Sequence, residues 1–297
     1  MRLSGKTWAI LLVGAGALAG AWYLLPPPPR PLIEPLPHPN GYIDLIAAGN
    51  MVGSNLPDLK TATVETLEGF VVSNRAALDR ARVGFTRQCR VPTEYSLGYL
   101  NRHINDLAAA KHIAWALAAE GRLAELENHP AEAATNYLTV MKLGVELDRG
   151  GVLIDALVAI ACESLGTKPL ANEVPKLTAE QSRALARNVE DLTAAREPME
   201  KIVEHEHAFR RSVLTGIRNM MGFVVLRRRL RINEQQVVSK YYQNCRPSLE
   251  LQGRLAAHAF ELEKGRPAKD WNDLVPAYLE RIPLDPGTTN QLPFVYR

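Results

Sequence analysis

The densest group of side chains that could bind a metal is the run Glu204-His205-Glu206-His207. Zinc sites on a single helix use histidines at positions i and i+4, because those positions share a face. His205 and His207 are only two positions apart, so on a helix they point to different sides. The flanking sequence has helical spacing, and we therefore expect a solvent-exposed charged face here. A metal site that draws further ligands from distant positions is the alternative.

The sequence contains none of the short motifs that mark common active sites. It has no G-x-S-x-G, no P-loop, no G-x-G-x-x-G and no H-E-x-x-H. We therefore predict no catalytic, cofactor-binding or metal-binding residues and no cofactor. An envelope enzyme of the metal-dependent hydrolase type, built around His205 and His207, is the alternative. The other histidines are scattered, and each is expected to be structural: His38, His103, His112, His129 and His258.

The chain has three cysteines, and an odd number leaves one thiol over in an oxidising compartment. Cys162 lies in the most apolar helical segment, where it should act as a small core residue. Cys89 and Cys245 lie in polar, loop-like surroundings shortly before a proline. If any pair forms a disulfide, we expect it to be Cys89 with Cys245; three free or buried thiols are the alternative.

Residues 201–231 carry a local excess of positive charge, with eight basic residues against two glutamates. Apolar residues from Val213 to Val224 recur at helical spacing, which predicts an amphipathic helix. The main interpretation is a core-facing helix with a solvated basic face. The alternative is a helix lying on anionic lipid, with lipid contact by Arg227, Arg228 and Arg229.

The overall composition favours a helical globular protein. Of 297 residues, 46% are hydrophobic but only 6% aromatic, while Ala and Leu are abundant. The chain is too apolar to be disordered. The balance of 35 basic against 32 acidic residues gives a net charge of +3, without the basic excess typical of nucleic-acid binders. We expect no nucleic-acid partner.

Apolar spacing predicts a series of helices from Asn40 onward. The first spans about 64–83, and a second long helix ends near Gly121. Pro130 fits the first turn of a third helix, where its missing N–H costs nothing. The segment from Leu153 to Leu165 is apolar on most sides and should form the centre of the core.

Later helices are marked by capping and stop signals. Thr178 and Gln181 form a capping box at the start of a helix that runs to Pro198. A further helix should continue from there to Arg231. Pro247 is expected to stop another segment, and a last long helix ends at Gly265.

The segment from Thr7 to Leu25 is uncharged over nineteen residues and follows Arg2 and Lys6. As a helix it would span about 28 Å, close to the thickness of a bilayer core. The positive-inside rule places Arg2 and Lys6 in the cytoplasm and the bulk of the chain outside it. We therefore expect a single-pass anchor in the cell inner membrane, contacting lipid through Thr7 to Leu25. A cleaved signal peptide ending at Ala19-Gly20-Ala21 is the alternative.

Residues 26–39 include eight prolines among fourteen residues. Proline favours an extended, semi-rigid spacer, so this stretch is predicted to be a linker. A P-x-x-P ligand for another domain is the alternative.

The last 49 residues resemble the globular end of type II secretion pseudopilins. The shared features are the turn Gly265-Arg-Pro267, then Leu274-Val-Pro276, then Ile282-Pro-Leu-Asp285-Pro286. The resemblance implies a short helix started by Asp270 and a terminal β-hairpin. The N-terminus departs from that family, because it has no glutamate before Glu34. Since only Asp285 could supply a carboxylate to the terminal loop, we predict no calcium site.

Two other resemblances concern architecture alone. Residues 121–150 look like one tetratricopeptide-like helical hairpin, without a second copy in the sequence. The whole chain is similar to a group of bacterial membrane-anchored proteins that combine an N-terminal anchor, a helical body and this tail. Neither resemblance implies a reaction.

The expected fold class is all-α, with an N-terminal transmembrane helix, a bundle of packed helical hairpins, and a small C-terminal module of a helix plus β-hairpin. The expected divisions are the anchor (1–25), the linker (26–39), the extracytoplasmic helical domain (40–246) and the C-terminal helix and tail (247–297). We expect the helical domain to bind other proteins, as a scaffold in an envelope assembly. The tail implies a secretion-related role; an envelope enzyme and a peripheral lipid-binding protein are the alternatives.

Overall fold

The computed structural model describes residues 34–94, 96–217 and 234–285. These residues form ten α-helices and one short 3₁₀ turn, Val174–Lys176. The helices are α1 (Gly41–Met51), α2 (Val64–Ser73), α3 (Arg75–Gly84), α4 (Leu97–Leu126), α5 (Pro130–Leu147), α6 (Leu153–Glu173), α7 (Ala179–Ala194), α8 (Met199–Ile217), α9 (Glu234–Lys264) and α10 (Trp271–Leu274). The described part of the chain is therefore all-α, as its composition predicts.

The centre of the fold is formed by α4, α5 and α6, which pack on one another in sequence order. Glycines let α5 and α6 approach closely. A Cβ added at Gly166 would overlap the carbonyl oxygen of Tyr137, and one at Gly144 would lie 2.7 Å from the carbonyl oxygen of Ala159. The segment predicted as the centre of the core, residues 153–165, lies in α6 and contributes many buried side chains. That prediction is confirmed.

α1, α2 and α3 pack against α4. The sequence predicts one helix over 64–83, but the structure has two, divided at Asn74. The Asn74 side chain donates to the carbonyl of Phe70 at 2.8 Å and accepts from the N–H of Gly53 at 3.2 Å. Asparagine side chains compete in this way for backbone groups, which ends one helix and starts another.

The C-terminal module docks on α7 and α9. Its short helix α10 begins at Asp270, whose carboxylate accepts from the N–H of Asn272 at 2.8 Å, as expected. The preceding turn uses Gly265 at φ +65, a conformation that glycine adopts without strain. Four side chains of the module are buried in one cluster with those of α7 and α9: Trp271, Leu274, Tyr278 and Leu279. The module therefore does not stand apart from the helical body.

Two residues that we expected to end helices lie inside them. α4 continues past Gly121 to Leu126, because the absence of a Cβ at Gly121 admits the ring of Tyr137. α9 continues through Pro247, across the division expected at 246–247. The cost of this proline is offset by burial of the helix on both sides of it, at Cys245, Ser248 and Leu249.

The structure corrects two parts of the predicted fold class, the transmembrane helix and the β-hairpin. Within residues 34–94, 96–217 and 234–285 no helix combines the length and apolarity needed to cross a membrane. The same residues contain no β-hairpin, only a single bridge residue at Leu284. The apolar residues of these helices pack against neighbouring helices, and side chains rather than a strand ladder hold the segment 281–285. The predicted anchor, Thr7 to Leu25, and residues 286–297 of the predicted hairpin lie outside the described residues.

Candidate functional site

A cleft of about 730 Å³ lies between α7, α8, α9 and the segment 281–285. One wall is the turn from α7 to α8 with the first residues of α8. The second is the stretch of α9 from Tyr241 to Gln252, and the third is the segment 281–285. Apolar and aromatic side chains form much of the surface: Met199, Tyr241, Tyr242, Leu249 and Ile282.

Glu190 fixes the third wall. This buried carboxylate of α7 accepts hydrogen bonds from the backbone N–H groups of Glu280, at 2.9 Å, and Arg281, at 3.0 Å. From α9, Arg246 donates to Asp285 at 2.8 Å. The segment 281–285 is thus attached to two helices by side chains, which gives the cleft a defined shape.

The floor of the cleft contains a buried ion pair between Arg196 and Glu163. The guanidinium donates two hydrogen bonds to the carboxylate, at 2.9 and 2.8 Å, and Ser248 donates a third at 2.6 Å. Burial opposes the charge of Arg196, but the adjacent Glu163 carboxylate raises the pKa of Arg196 well above its usual value. The two terminal nitrogens of the guanidinium are bonded to the Glu163 carboxylate, and these bonds set the position of the α7–α8 turn.

Asp148 and Cys245 lie close to this pair. Burial raises the pKa of Asp148 to about 7, although the nearby Arg196 charge opposes that shift. The Tyr241 hydroxyl, which lines the cleft, donates to Asp148 at 3.4 Å. Burial also raises the pKa of the Cys245 thiol to about 12. At neutral pH the thiol is protonated and is therefore a poor nucleophile.

Two buried oxygen atoms of the cleft lining have no hydrogen-bond donor among the described residues. They are Oε1 of Gln252, on α9, and Oε1 of Glu197, in the turn before α8. The nearest cation to Glu197 is the Lys201 ammonium, 3.8 Å from that oxygen. Unpaired buried acceptors are costly, so an N–H group that reaches either oxygen would be favoured there.

The side chains of the lining limit the chemistry that the cleft itself offers. A nucleophile activated by a base would need a low pKa or a histidine within hydrogen-bond distance. Cys245 has a raised pKa, and none of the described histidines lines the cleft. What the arrangement offers is apolar area, two unpaired acceptors and an open mouth.

A second buried polar group joins α4 to the start of α6. The ring of His103 hydrogen-bonds through Nε2 to Oδ1 of Asp155, and both side chains are buried. The other oxygen of Asp155 accepts from the N–H of Val152 at 2.8 Å, and Tyr99 stacks on the ring with centroids 4.6 Å apart. Burial acts to lower the pKa of His103, but Asp155 and Asp106 raise it above 6.5. These contacts join α4 to the start of α6, and a structural role for His103 stays a prediction from the sequence.

The run of residues 204–207 lies on α8, as its helical spacing predicts. His205 approaches the carbonyl of Gly151 at 3.1 Å, while His207 is exposed on another side. In the described ranges no three His, Cys, Asp or Glu side chains are grouped as a metal site requires. The expectation of a fully solvated face is wrong for Glu206. That side chain is buried and accepts from the N–H of Leu153 at 3.2 Å, because the first N–H groups of α6 need acceptors.

The cysteines are unpaired, so of the two possibilities left open by the sequence the structure shows three free thiols and not a disulfide between Cys89 and Cys245. All three thiols are free and buried. Cys89 packs in the cluster around α1 and α4, whereas Cys245 packs with the start of α6 and α8. The two residues therefore occupy different parts of the core. Cys162 is a buried core residue, as predicted.

The cleft was not predicted from the sequence, although Gln252 gives a signal. It lies on the apolar face of α9, at helical spacing from Leu255, Ala256 and Ala259, which are all buried. A glutamine on such a face is unusual, because its amide must be hydrogen-bonded or left unpaired. The predicted lipid-contact residues Arg227, Arg228 and Arg229 lie outside the described residues.

Fold and cleft together describe an all-α protein with an open, partly aromatic cleft. Comparisons of the chain with protein-family models, with curated proteins and with solved structures gave no match. The function is therefore argued from the residues of the cleft.

Proposed function

We propose that this protein is a protein-interaction module that binds a segment of another protein in the cleft between α7, α8 and α9. The observation that carries the proposal is the lining itself, which combines aromatic and apolar side chains with unpaired buried acceptors. Tyrosine and methionine are enriched at protein interfaces, and the tyrosine ring supplies a large contact area at low cost in conformational entropy.

The rigidity of the walls supports this proposal. The α7–α8 turn is held by the Arg196–Glu163 pair, and the segment 281–285 is held by Glu190 and Arg246. A site that is already formed loses little entropy when a ligand binds, which favours affinity. An envelope location, a secretion-related role and lipid contact by Arg227, Arg228 and Arg229 stay predictions from the sequence.

The proposal is tested by selecting displayed dodecapeptides on the purified full chain. The test variant is Ala194→Trp, which adds a large side chain at an exposed position of the cleft lining. The matched control is Ala195→Trp, the neighbouring exposed position outside the lining. We expect the selected peptides to lose about tenfold or more in affinity for the first variant and about twofold or less for the second.

Two results would contradict the proposed function. One is a selection that yields no peptide with saturable binding. The other is a set of peptides whose affinity is the same for Ala194→Trp, Ala195→Trp and the unmodified chain.

A further inference from the structure

We propose that the cleft recognises a basic side chain, a lysine or arginine, presented by the bound protein segment. This inference rests on the proposed function and adds the chemistry of the group that is recognised. It starts from Gln252, which is 2% exposed, lines the cleft and leaves Oε1 without a donor among the described residues. A buried acceptor of this kind is destabilising until a donor reaches it. A bound N–H group would remove that cost.

The second acceptor carries a negative charge. The side chain of Glu197 is 10% exposed, and its buried Oε1 accepts no hydrogen bond from the described residues. Lys201 stands 3.8 Å from it, beyond hydrogen-bond distance, and its own side chain is 52% exposed. A partly buried carboxylate without a direct donor favours a cationic ligand over a neutral one.

The remaining charges of the lining agree with a cationic ligand. Among the acidic residues, Glu190 is occupied by backbone N–H groups and Asp285 by Arg246. Of the basic residues, Arg196 is neutralised by Glu163. The lining charges without a close hydrogen-bonded partner are the carboxylates of Glu197, which the exposed Lys201 approaches only to 3.8 Å, and of Glu200, against the guanidinium of Arg281. Complementary charge gives specificity as well as affinity.

The apolar part of the lining suits the rest of such a side chain. Lysine and arginine carry three or four methylene groups, which pack on apolar surfaces while the charged end reaches a polar partner. Tyr241, Tyr242 and Met199 provide that surface, and the half-buried ring of Tyr242 can also face a cation. The mouth of the cleft is open, so the backbone of a polypeptide can continue out of it on either side of the bound side chain. We therefore assign the basic group to a protein segment and not to a free amine.

The probes are three mixtures of N-acetylated, C-amidated nonapeptides labelled with fluorescein. Their fifth residue is arginine, the neutral isostere citrulline, or glutamate, and the other positions vary among Ala, Leu, Ser and Tyr. Binding to the full chain is followed by fluorescence polarisation. We expect the arginine mixture to bind about tenfold or more tightly than the citrulline mixture, and the glutamate mixture to bind most weakly, as a charge-assisted hydrogen bond implies.

Three variants test which residues cause the preference for arginine over citrulline. Glu197→Gln keeps the shape of the side chain and should reduce the arginine-to-citrulline ratio to about twofold or less. Gln252→Met removes the second acceptor and should also reduce the ratio. Glu204→Gln changes an exposed carboxylate of α8 outside the lining and should leave the ratio unchanged. Thermal unfolding of each variant checks that it is folded, and the Glu197→Gln result decides if Gln252→Met does not fold.

Each other outcome has a defined meaning. Equal binding of the arginine and citrulline mixtures, with both lost in Ala194→Trp, overturns this inference and leaves the proposed function in place. Binding of none of the mixtures, together with an empty peptide selection, overturns both. Spermidine that binds as tightly as the arginine mixture, and that depends on Glu197, overturns the assignment to a protein segment.

Discussion

Arg196 and Glu163, 33 positions apart in the chain, form two parallel hydrogen bonds at the floor of the cleft. Their side chains are only 11% and 4% exposed. The pair ties the α7–α8 turn to the middle of α6, and Ser248 adds a hydrogen bond from α9. Two elements that shape the cleft, the α7–α8 turn and α9, therefore meet at one carboxylate of α6.

Replacing Arg196 with Met should lower the free energy of unfolding by about 3–5 kcal/mol, because Glu163 is left buried without a counter-charge. Urea denaturation measures the change. Replacing both residues with Met should recover most of it, since no uncompensated charge is then left. The control is Arg102→Met, because Arg102 pairs with Glu94 where both side chains are more than half exposed, and about 1 kcal/mol or less is expected. Equal losses for Arg196→Met and Arg102→Met would contradict the assignment.

Asp148 should make stability fall as the pH rises. In the folded protein its pKa is raised to about 7 from an ordinary value of 3.8, so the folded state keeps a proton that the unfolded state has released. The resulting stabilisation is complete below 3.8 and is lost as the pH rises through about 7. Between these limits the free energy of unfolding should fall by about 1.4 kcal/mol per pH unit.

The variant Asp148→Asn cannot release this proton and should lose that slope. Urea denaturation at several pH values from 4 to 8 gives the comparison, and Glu68→Gln, an exposed change on α2, should keep the slope of the unmodified protein. Parallel pH profiles for the unmodified protein and Asp148→Asn would show that Asp148 ionises normally.

Alanine at two helical glycines should shift the melting temperature in opposite directions. At Gly166 the new methyl group overlaps the carbonyl oxygen of Tyr137, so α5 and α6 must separate at a cost of about 1–3 kcal/mol or more. At Gly69, an exposed position of α2, nothing lies within 4 Å of the new methyl group. There alanine should stabilise by about 0.4–1 kcal/mol, because it restricts the unfolded chain. Calorimetry measures the melting temperature of each variant. A Gly166→Ala variant that melts at or above the temperature of the unmodified protein would contradict the close packing of these helices.

Glu190→Gln should loosen the segment 281–285 without unfolding the helices. The loss of a charged acceptor for the N–H groups of Glu280 and Arg281 should weaken their hydrogen bonds by about 1–2 kcal/mol. Trypsin should then cleave after Arg281 about tenfold faster, as read by mass spectrometry. The control is Asp191→Asn, an exposed change next in sequence. Unchanged cleavage in Glu190→Gln would mean that apolar packing alone holds the segment.

His103 should titrate at a higher pH than an ordinary histidine. Burial opposes its charge, but Asp155 and Asp106 raise its pKa above 6.5, so its stabilising contribution is present below 6.5 and is lost as the pH rises through the raised value. NMR of the ring protons should show the titration move down by about one pH unit or more in Asp155→Asn, which removes the charge. An unmoved titration would exclude Asp155 as the cause.

Much of the helical framework could be predicted from the sequence, because its signals are local. Thr178 and Gln181 form the expected capping box, with each side chain bonded to the other's backbone N–H. Pro130 starts α5, and Cys162 lies in the core. Each of these depends on side-chain type and on neighbours within one helical turn, so tertiary contacts did not alter them.

Where local signals failed, distant contacts outweighed them. Gly121 does not end α4, because the ring of Tyr137 packs against it. Pro247 does not end α9, because the helix around it is buried. Asn74 divides a periodic segment through its bond to Gly53, 21 positions away. In each case the cost or gain of one residue is about 1–3 kcal/mol, which packing can reverse.

The sequence by itself determined the all-α class, most helix positions and a buried centre at α6, because helical periodicity and capping act over a few residues. Only the tertiary structure decided where the cleft lies and which distant side chains pair with one another. Arg196 meets Glu163, His103 meets Asp155 across 52 positions, and Glu190 meets Glu280 across 90. Such pairs depend on how helices cross and stack, and the spacing of residues within one helix carries no record of which distant helix will face it.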